Sequence, residues 1–428
     1  MCKRKRTFKQ IAIYAIVFSP ILVLVGAWLF SVVYGRLEYV LTPFPGSRIT
    51  AQGTVSNAPL AIGTGHALAI DAEGYLWAWG TNTFGQLGDG TTATRHSPVR
   101  IMGDVAAVAA HGNISMAITT NGTLYVWGER LAQRGVMASN VPVATMYNVR
   151  SVSIGSSYAT AVAFDNSLWS WGMNLSGQLG DGTTLTRTRP RRITDGIVAV
   201  SSAPLFSVAA TTHNTLVMWG ANSSGQLGIR STVPVQVFNN LSSFSVGNTH
   251  TLAICDEGVL WGWGDNNTRQ VSREIIAHQT TPVKIMDGVV YALAGNGWSL
   301  AISADNALWA WGRHEGAIRL EPEKIMNDVI AVSSSSLRTF AITANNTLYA
   351  WGNNFGGRLG DGTTEHRPEP VWVMNDVAYV ITDSSRTFAI CINGALWAWG
   401  TNRNGALGDG TAEDRYTPVM IMDRVKLP

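Results

Sequence analysis

The side chains that could do chemistry in this sequence are few and scattered. Eight histidines occur, and none recurs beside a Ser or Cys at a spacing that a nucleophile and its base would share. Of the three cysteines, Cys255 and Cys391 each follow an Ala-Ile pair on equivalent segments. They read as small buried strand residues, too far apart for a disulfide. Cys2 stands alone, and no metal-ligand spacing of Cys and His exists. Asp89, Asp181, Asp361 and Asp409 each sit in Gly-Asp-Gly-Thr, one carboxylate per loop. A calcium loop needs several oxygen ligands at fixed spacing, so these acids are not expected to hold a cation. The Gly-rich run Asn82–Gly90 lacks the Lys of a phosphate loop. Turn chemistry accounts for it better: Gly for positive φ, Asn and Asp for bonds to the backbone. The residues therefore imply no catalytic site, no metal, no cofactor and no small-molecule substrate.

One position varies while its surroundings do not. Thirteen residues before each of eight Trp-Gly pairs stand His66, Ile114, Tyr158, Phe206, His250, Trp298, Arg338 and Arg386. Aromatic residues and Arg dominate interface hot spots. We therefore expect Tyr158, Phe206, Trp298, Arg338 and Arg386, with His66 and His250, to form a partner-binding ring. The alternative is that each side chain fits an internal contact of its own. Leu205, Asn296 and Leu337 in the same turns vary as well.

The elements that must position these residues are repeated. Trp-Gly recurs at Trp79, Trp127, Trp171, Trp219, Trp263, Trp311, Trp351 and Trp399, with a Leu three residues before each Trp. Such self-similarity marks an array of one supersecondary unit. In the first unit the strands are expected at Ala61–Gly63, Ala67–Ile70, Tyr75–Trp79 and Pro98–Met102, separated by turn residues. Leu and Trp three apart face opposite sides of a strand, so both faces must be buried. Blades stacked around an axis achieve this. The fold class is all-β, a propeller of four-stranded blades, and the repeat count is eight. Thirteen of the sixteen Trp lie in the Leu-x-x-Trp-Gly strands and are expected to pack blades. The final segment 418–422 is expected to complete the first blade and so close the ring.

The pattern Gly63-x-x-His66…Asp71…Gly74…Leu76-x-x-Trp79-Gly80-x-Asn82-x-x-Gly85-Gln86-Leu87-Gly88-Asp89-Gly90…Pro98-Val99 resembles the regulator of chromosome condensation repeat. The resemblance covers about residues 54–428 and weakens in the second, fifth and sixth units. It implies a β-propeller that binds proteins. Family propellers usually have seven blades, so seven is the alternative to the counted eight. Family members that sense ultraviolet light carry Trp after the Gly of the Gly-x-x-His turn. Here those positions include Thr64, Gly112 and Ser156, which does not support that function.

The body is near neutral. Five of the positive charges lie in residues 1–10, and without them a net +3 becomes −2 for the rest. No basic footprint for nucleic acid appears in the linear sequence. Ile11 to Val33 is a run of 23 residues without a charge, enough to cross a hydrocarbon core of ~30 Å. We expect 1–10 as a cytoplasmic tail, 11–33 as a single transmembrane anchor, 34–53 as a linker and 54–428 as a propeller outside the cytoplasm. A cleaved signal peptide, giving a secreted body, is the alternative. The expected function is membrane-anchored binding of an unidentified extracytoplasmic protein through one loop face. The alternatives are carbohydrate or cell-wall binding, with Trp298 and Trp372 as stacking platforms, and a nucleotide-exchange type of regulator as in the founding family member.

Overall fold

The computed structural model describes residues 54–55 and 58–428, except 134, 228–229, 275, 315–316 and 336. The expected tail, anchor and linker, residues 1–53, lie outside these. Among the described residues no helix is long and apolar enough to cross a membrane.

Short strands joined by tight turns pair with their sequence neighbours, and four consecutive strands make each sheet. After a segment β1 (Thr54–Val55), the first sheet is β2 (Leu60–Ile62), β3 (His66–Ile70), β4 (Leu76–Gly80) and β5 (Arg95–Met102). The pattern repeats to give eight antiparallel blades, the second starting at Val105 and the eighth spanning Val377 to Met422. The first strands of successive blades lie against one another around the axis, and the fourth strands form the half-exposed outer rim. Each rim strand carries a Pro at the same place in the repeat: Pro98, Pro142, Pro190, Pro234, Pro282, Pro322, Pro370 and Pro418. Pro lacks the N–H that another strand would pair with, so these residues guard eight open edges against aggregation.

The Leu-x-x-Trp spacing builds the core. One apolar cluster occupies each blade junction. Leu76 of blade 1 packs with Trp127 of blade 2, while Trp79, on the opposite face, packs with Leu396 and Phe388 of blade 8. The same Leu-to-next-Trp arrangement holds at Leu124–Trp171, Leu168–Trp219, Leu216–Trp263, Leu260–Trp311, Leu308–Trp351 and Leu348–Trp399.

Ring closure differs from expectation. The strand Arg415–Met422 pairs with Leu396–Gly400 inside blade 8, Leu396 opposite Met422, and does not join blade 1. Its own Gly-rich loop ties it there, through Arg415 Nε to Asp409 Oδ2 at 2.5 Å. Blade 1 is instead completed by the residues that follow. Val425 bridges Asp71, Ala72 N donates to Arg424 O at 2.7 Å, and Lys426 N donates to Ile70 O at 2.9 Å. In blade 2 the corresponding pair is Val105 with Thr119, both within the blade. The innermost strand of blade 1 is therefore composite, with Pro59–Ile62 from one end of the body and Arg424–Lys426 from the other.

β1 runs antiparallel along the free edge of the inner strand of blade 3, Thr54 opposite Ser153 and Val55 opposite Val152. Thr54 lies toward the end of that strand that leads into the Gly-x-x-Tyr turn.

Candidate protein-binding face

The Gly-rich loop is held by a buried Asn. Asn82 Oδ1 accepts from Leu87 N at 2.9 Å, and its Nδ2 donates to Asp89 Oδ1 at 3.1 Å and Thr91 O at 3.1 Å. Asp89 Oδ1 also accepts from Thr91 N and Oγ1, and Oδ2 accepts from Arg95 Nε at 2.7 Å. Asn174, Asn354 and Asn402 repeat the arrangement with Asp181, Asp361 and Asp409. Burial alone would raise these carboxyls. The Thr hydroxyls and amides and the facing Arg outweigh it and hold all four below the usual range. The carboxylate oxygens are thus committed to the loop itself.

The loop of one blade reaches the next. Trp127 Nε1 donates to Gln86 O at 2.9 Å, and Trp219, Trp263 and Trp311 bond in the same way to Gln178, Gln226 and Gln270. Gly88 has φ +81°, and a Cβ there would lie 2.7 Å from the Trp127 indole nitrogen. This approach and this conformation both require Gly.

The expected exposed ring is corrected by burial. His66, Tyr158, Phe206, His250, Trp298, Arg338 and Arg386 are all buried. The Gly-x-x-His signature explains why. The large side chain folds back over the residue three before it, so that a Cβ at Gly63 would sit 2.0 Å from the His66 ring, with similar clashes at Gly155 and Gly295. From there it points across the junction. His66 Nε2 meets Ser115 Oγ at 2.9 Å, and His250 meets Ser299 at 2.9 Å. Tyr158 Oη donates to Phe206 O at 2.6 Å. Arg338 Nη2 donates to Asp383 O at 2.7 Å, and Arg386 Nη2 donates to Gly63 O at 2.8 Å across the seam between blades 8 and 1. Burial drives the pKa of His66 down to about 3 and of His250 to about 4. It also lowers Arg338 to about 10, with Arg358 adding to the effect, and raises the Tyr158 hydroxyl. These side chains pin neighbouring blades together, and a partner at the surface does not reach them.

What the same face does expose is different. Phe355, at a loop tip of blade 7, is 73% exposed, and Leu337 in the turn beside it is 52% exposed. The two segments are joined by Asn353 N donating to Leu337 O at 2.8 Å. The Arg358 guanidinium lies 5.5 Å from the Phe355 ring centre. Leu175 and Leu205 project from blades 3 and 4. Arg358 escaped sequence reasoning, although it replaces the Gln of Gly-Gln-Leu-Gly and could have been found by that departure. Between blades 2 and 3, where the loop of blade 2 is short, a polar notch is lined by His111, Glu129, Arg130, Ser156 and Ser157. Asn113 Nδ2 holds the Glu129 carboxylate at 3.0 Å. Among the described residues no group of three His, Cys, Asp or Glu side chains is placed to hold a metal ion.

Comparison with known proteins agrees with this architecture. The RCC1-like domain matches residues 37–317, and the regulator of chromosome condensation (RCC1) repeat matches 345–385 and 393–426. The chain is 37% identical over 139 residues to the protein RCC2 homolog of Danio rerio, 29% of this chain and 28% of that protein. It is 26% identical over 255 residues to the ultraviolet-B receptor UVR8 of Arabidopsis thaliana, 56% of this chain and 47% of that protein. The chain thus spans about half or less of the length of these relatives. The structure of Prp20p from Saccharomyces cerevisiae, for which binding properties to Gsp1p and histones are described, superposes with a TM-score of 0.57 at 18% identity, covering 83% of this chain and 88% of that one. Human WBSCR16 superposes with a TM-score of 0.55 at 18% identity, covering 81% and 93%. With eight blades of the same four strands, the same Leu-x-x-Trp-Gly core and the same Gly-rich loops, this chain belongs to the RCC1 repeat family.

Proposed function

We propose that this chain is a non-catalytic binding protein, anchored in a membrane by residues 11–33, that presents its Gly-rich-loop face to a protein partner outside the cytoplasm. The observation that carries the reading is the projection of Phe355 and Leu337 from blade 7, with the half-buried Arg358 beside the Phe355 ring. Aromatic and Arg side chains give large contact area at low rotamer cost. The charge-free run Ile11–Val33, preceded by Lys3, Arg4, Lys5, Arg6 and Lys9, supports the anchor and its direction. Protein binding by Prp20p is the analogous property of a similar fold.

The test pairs topology with capture. Protease added to intact cells is expected to degrade the body and spare the first ten residues. Phe355→Ser with Leu337→Ser is expected to weaken capture of the surface partner at least ~tenfold at unchanged melting temperature. Equal capture by wild type and variant would remove the loop face from the proposal. A carbohydrate reading keeps one supporting residue: Trp372 is 57% exposed on the rim of blade 7, whereas Trp298 is buried. Glycan-array binding lost in Trp372→Ala would favour it.

A further inference from the structure

Eight copies of one repeat allow each position to be compared with its equivalents in the same chain. The residue whose carbonyl meets the Trp of the next blade is Gln86, Gln178, Gln226 and Gln270 in blades 1, 3, 4 and 5, but Arg358 in blade 7. The residue at the loop tip, just after the Asn that anchors the loop, is Thr83, Leu175 and Ser223 in blades 1, 3 and 4. In blade 7 it is Phe355, and in blade 8 it is the exposed Arg403. Gln serves the first position and Thr or Ser the second, so the fold asks for neither Arg.

The arginines that the fold does use on this face come with a carboxylate. Arg95, Arg187, Arg367 and Arg415 hold the loop aspartates, and Arg386 holds Asp383. Among the described residues, no carboxylate pairs with Arg338, Arg358 or Arg403. Arg358 is half-buried, and its Nε has no hydrogen-bond partner. Its backbone is fixed, because Trp399 Nε1 donates to its carbonyl at 3.1 Å. Its charge acts on Arg338, whose pKa burial first and Arg358 second push down to about 10. Asp383 draws Arg338 the other way, but its carboxylate is already filled. Oδ2 accepts from Arg386 Nε and Nη2, and Oδ1 accepts from the Ser385 and Arg386 amides. Three other acids are exposed in the loops of blades 7 and 8: Glu365, Glu413 and Asp414. They lie on the outer limbs, where the chain enters the rim strands, beside Arg367, Arg415 and Asn402 N. The inner limbs and tips of these two loops therefore carry unneutralised guanidinium charge. It stands next to the exposed Phe355 and Leu337, in a body that is net negative.

We propose that this part of the loop face takes an acidic segment of the partner protein, with an apolar side chain against Phe355 and Leu337 and carboxylates against Arg358 and Arg403. The inference rests on the loop-face reading above and adds the chemistry of its partner. A carboxylate at Arg358 meets a guanidinium carried on a fixed backbone and forms a charge-assisted pair with it. It also offsets the repulsion between Arg358 and Arg338, two like charges without a counter-ion of their own. A nucleic acid would meet the exposed acids of the outer limbs and no wider basic footprint.

The probe is a random-peptide display library selected on the full chain. The selected peptides are expected to be rich in Asp and Glu around a Phe, Leu or Met. Arg358→Gln with Arg403→Ser installs residues that sister blades use, so the melting temperature is expected to stay unchanged while affinity for a selected peptide falls at least ~tenfold. Added salt is expected to weaken binding to the wild type more than to this variant. Phe355→Ser with Leu337→Ser is expected to weaken binding as well. Selected peptides that need Phe355 but carry no acid, or that bind the Arg variant as tightly as wild type, would overturn the acidic partner and leave the loop face standing. Peptides that bind unaffected by all four substitutions would remove the loop face itself, and the inference with it. A single-stranded oligonucleotide that competes as well as a peptide of matched charge would make the site a general polyanion surface and overturn the proposal. A lower melting temperature in the Arg variant would assign the two side chains to the fold instead.

Discussion

At the residue scale, the variable position of the Gly-x-x-His turn shows how internal and external variation look alike in a sequence. Polar side chains there meet particular partners on the next blade: Ser115 for His66, Ser299 for His250, the carbonyl of Phe206 for Tyr158. A change on one side of a junction is matched by a change on the other, so the position varies although it is buried. The signal that separates the two cases is the small residue three positions earlier, over which the side chain must fold. A pH dependence follows. Burial holds His66 and His250 neutral, their folded pKa values falling to about 3 and about 4 from 6.5. A depressed folded pKa means that the stability is fully present above the unfolded value and is lost as pH falls toward the folded one. The urea midpoint is therefore expected to drop between about pH 6.5 and about pH 4. His66→Gln with His250→Gln should flatten that drop, and an identical slope in the variant would show that other groups dominate. The loop aspartates, ordinarily near 3.8 and held lower here, act only in a more acid window.

At the element scale, nearly all of the blade was legible. Leu and Trp three apart on one strand require two buried faces, and the structure places Leu76 toward blade 2 and Trp79 toward blade 8. The repeat count likewise gave the number of blades. The grouping of the rim strand at the closure was not legible from pattern alone. A Pro-Val-x-Ile segment fits the edge of any third strand, and what decides is the loop clamp Asp409–Arg415, a contact between side chains rather than a periodicity. The junction clusters also carry a stability prediction. Trp311 is buried in the cluster between blades 5 and 6. Trp311→Ala is expected to cost about 3–5 kcal/mol through lost burial and a residual cavity. Denaturant unfolding measures it, and a loss below about 1 kcal/mol would mean that the junction relaxes around the gap.

At the scale of the whole molecule, the seam between blades 8 and 1 differs from the other junctions in that the inner strand beyond it is composite. Arg386 reaches Gly63 O across it, and the Trp79 and Phe388 rings meet at 6.0 Å. Arg424–Lys426 then finish the inner strand. Val425 is buried in this cluster. Val425→Asp places an unpaired charge there and is expected to destabilise by about 3 kcal/mol or more. Ending the chain at Met422 keeps every strand of blade 8 yet removes the bridge to Asp71, so its melting temperature should fall as well. A truncated chain that melts with the wild type would show that the seam holds by packing alone.

That composite strand has a consequence for how the protein is made. A ribosome releases the strands of blade 1 long before it makes residues 424–426, which complete that blade. Every nascent chain short of Val425 is an open arc, with one face of its first blade waiting. The ring can close only once residues 424–426 have been made, so the unpaired surfaces of the arc are what a chaperone or protease meets until then.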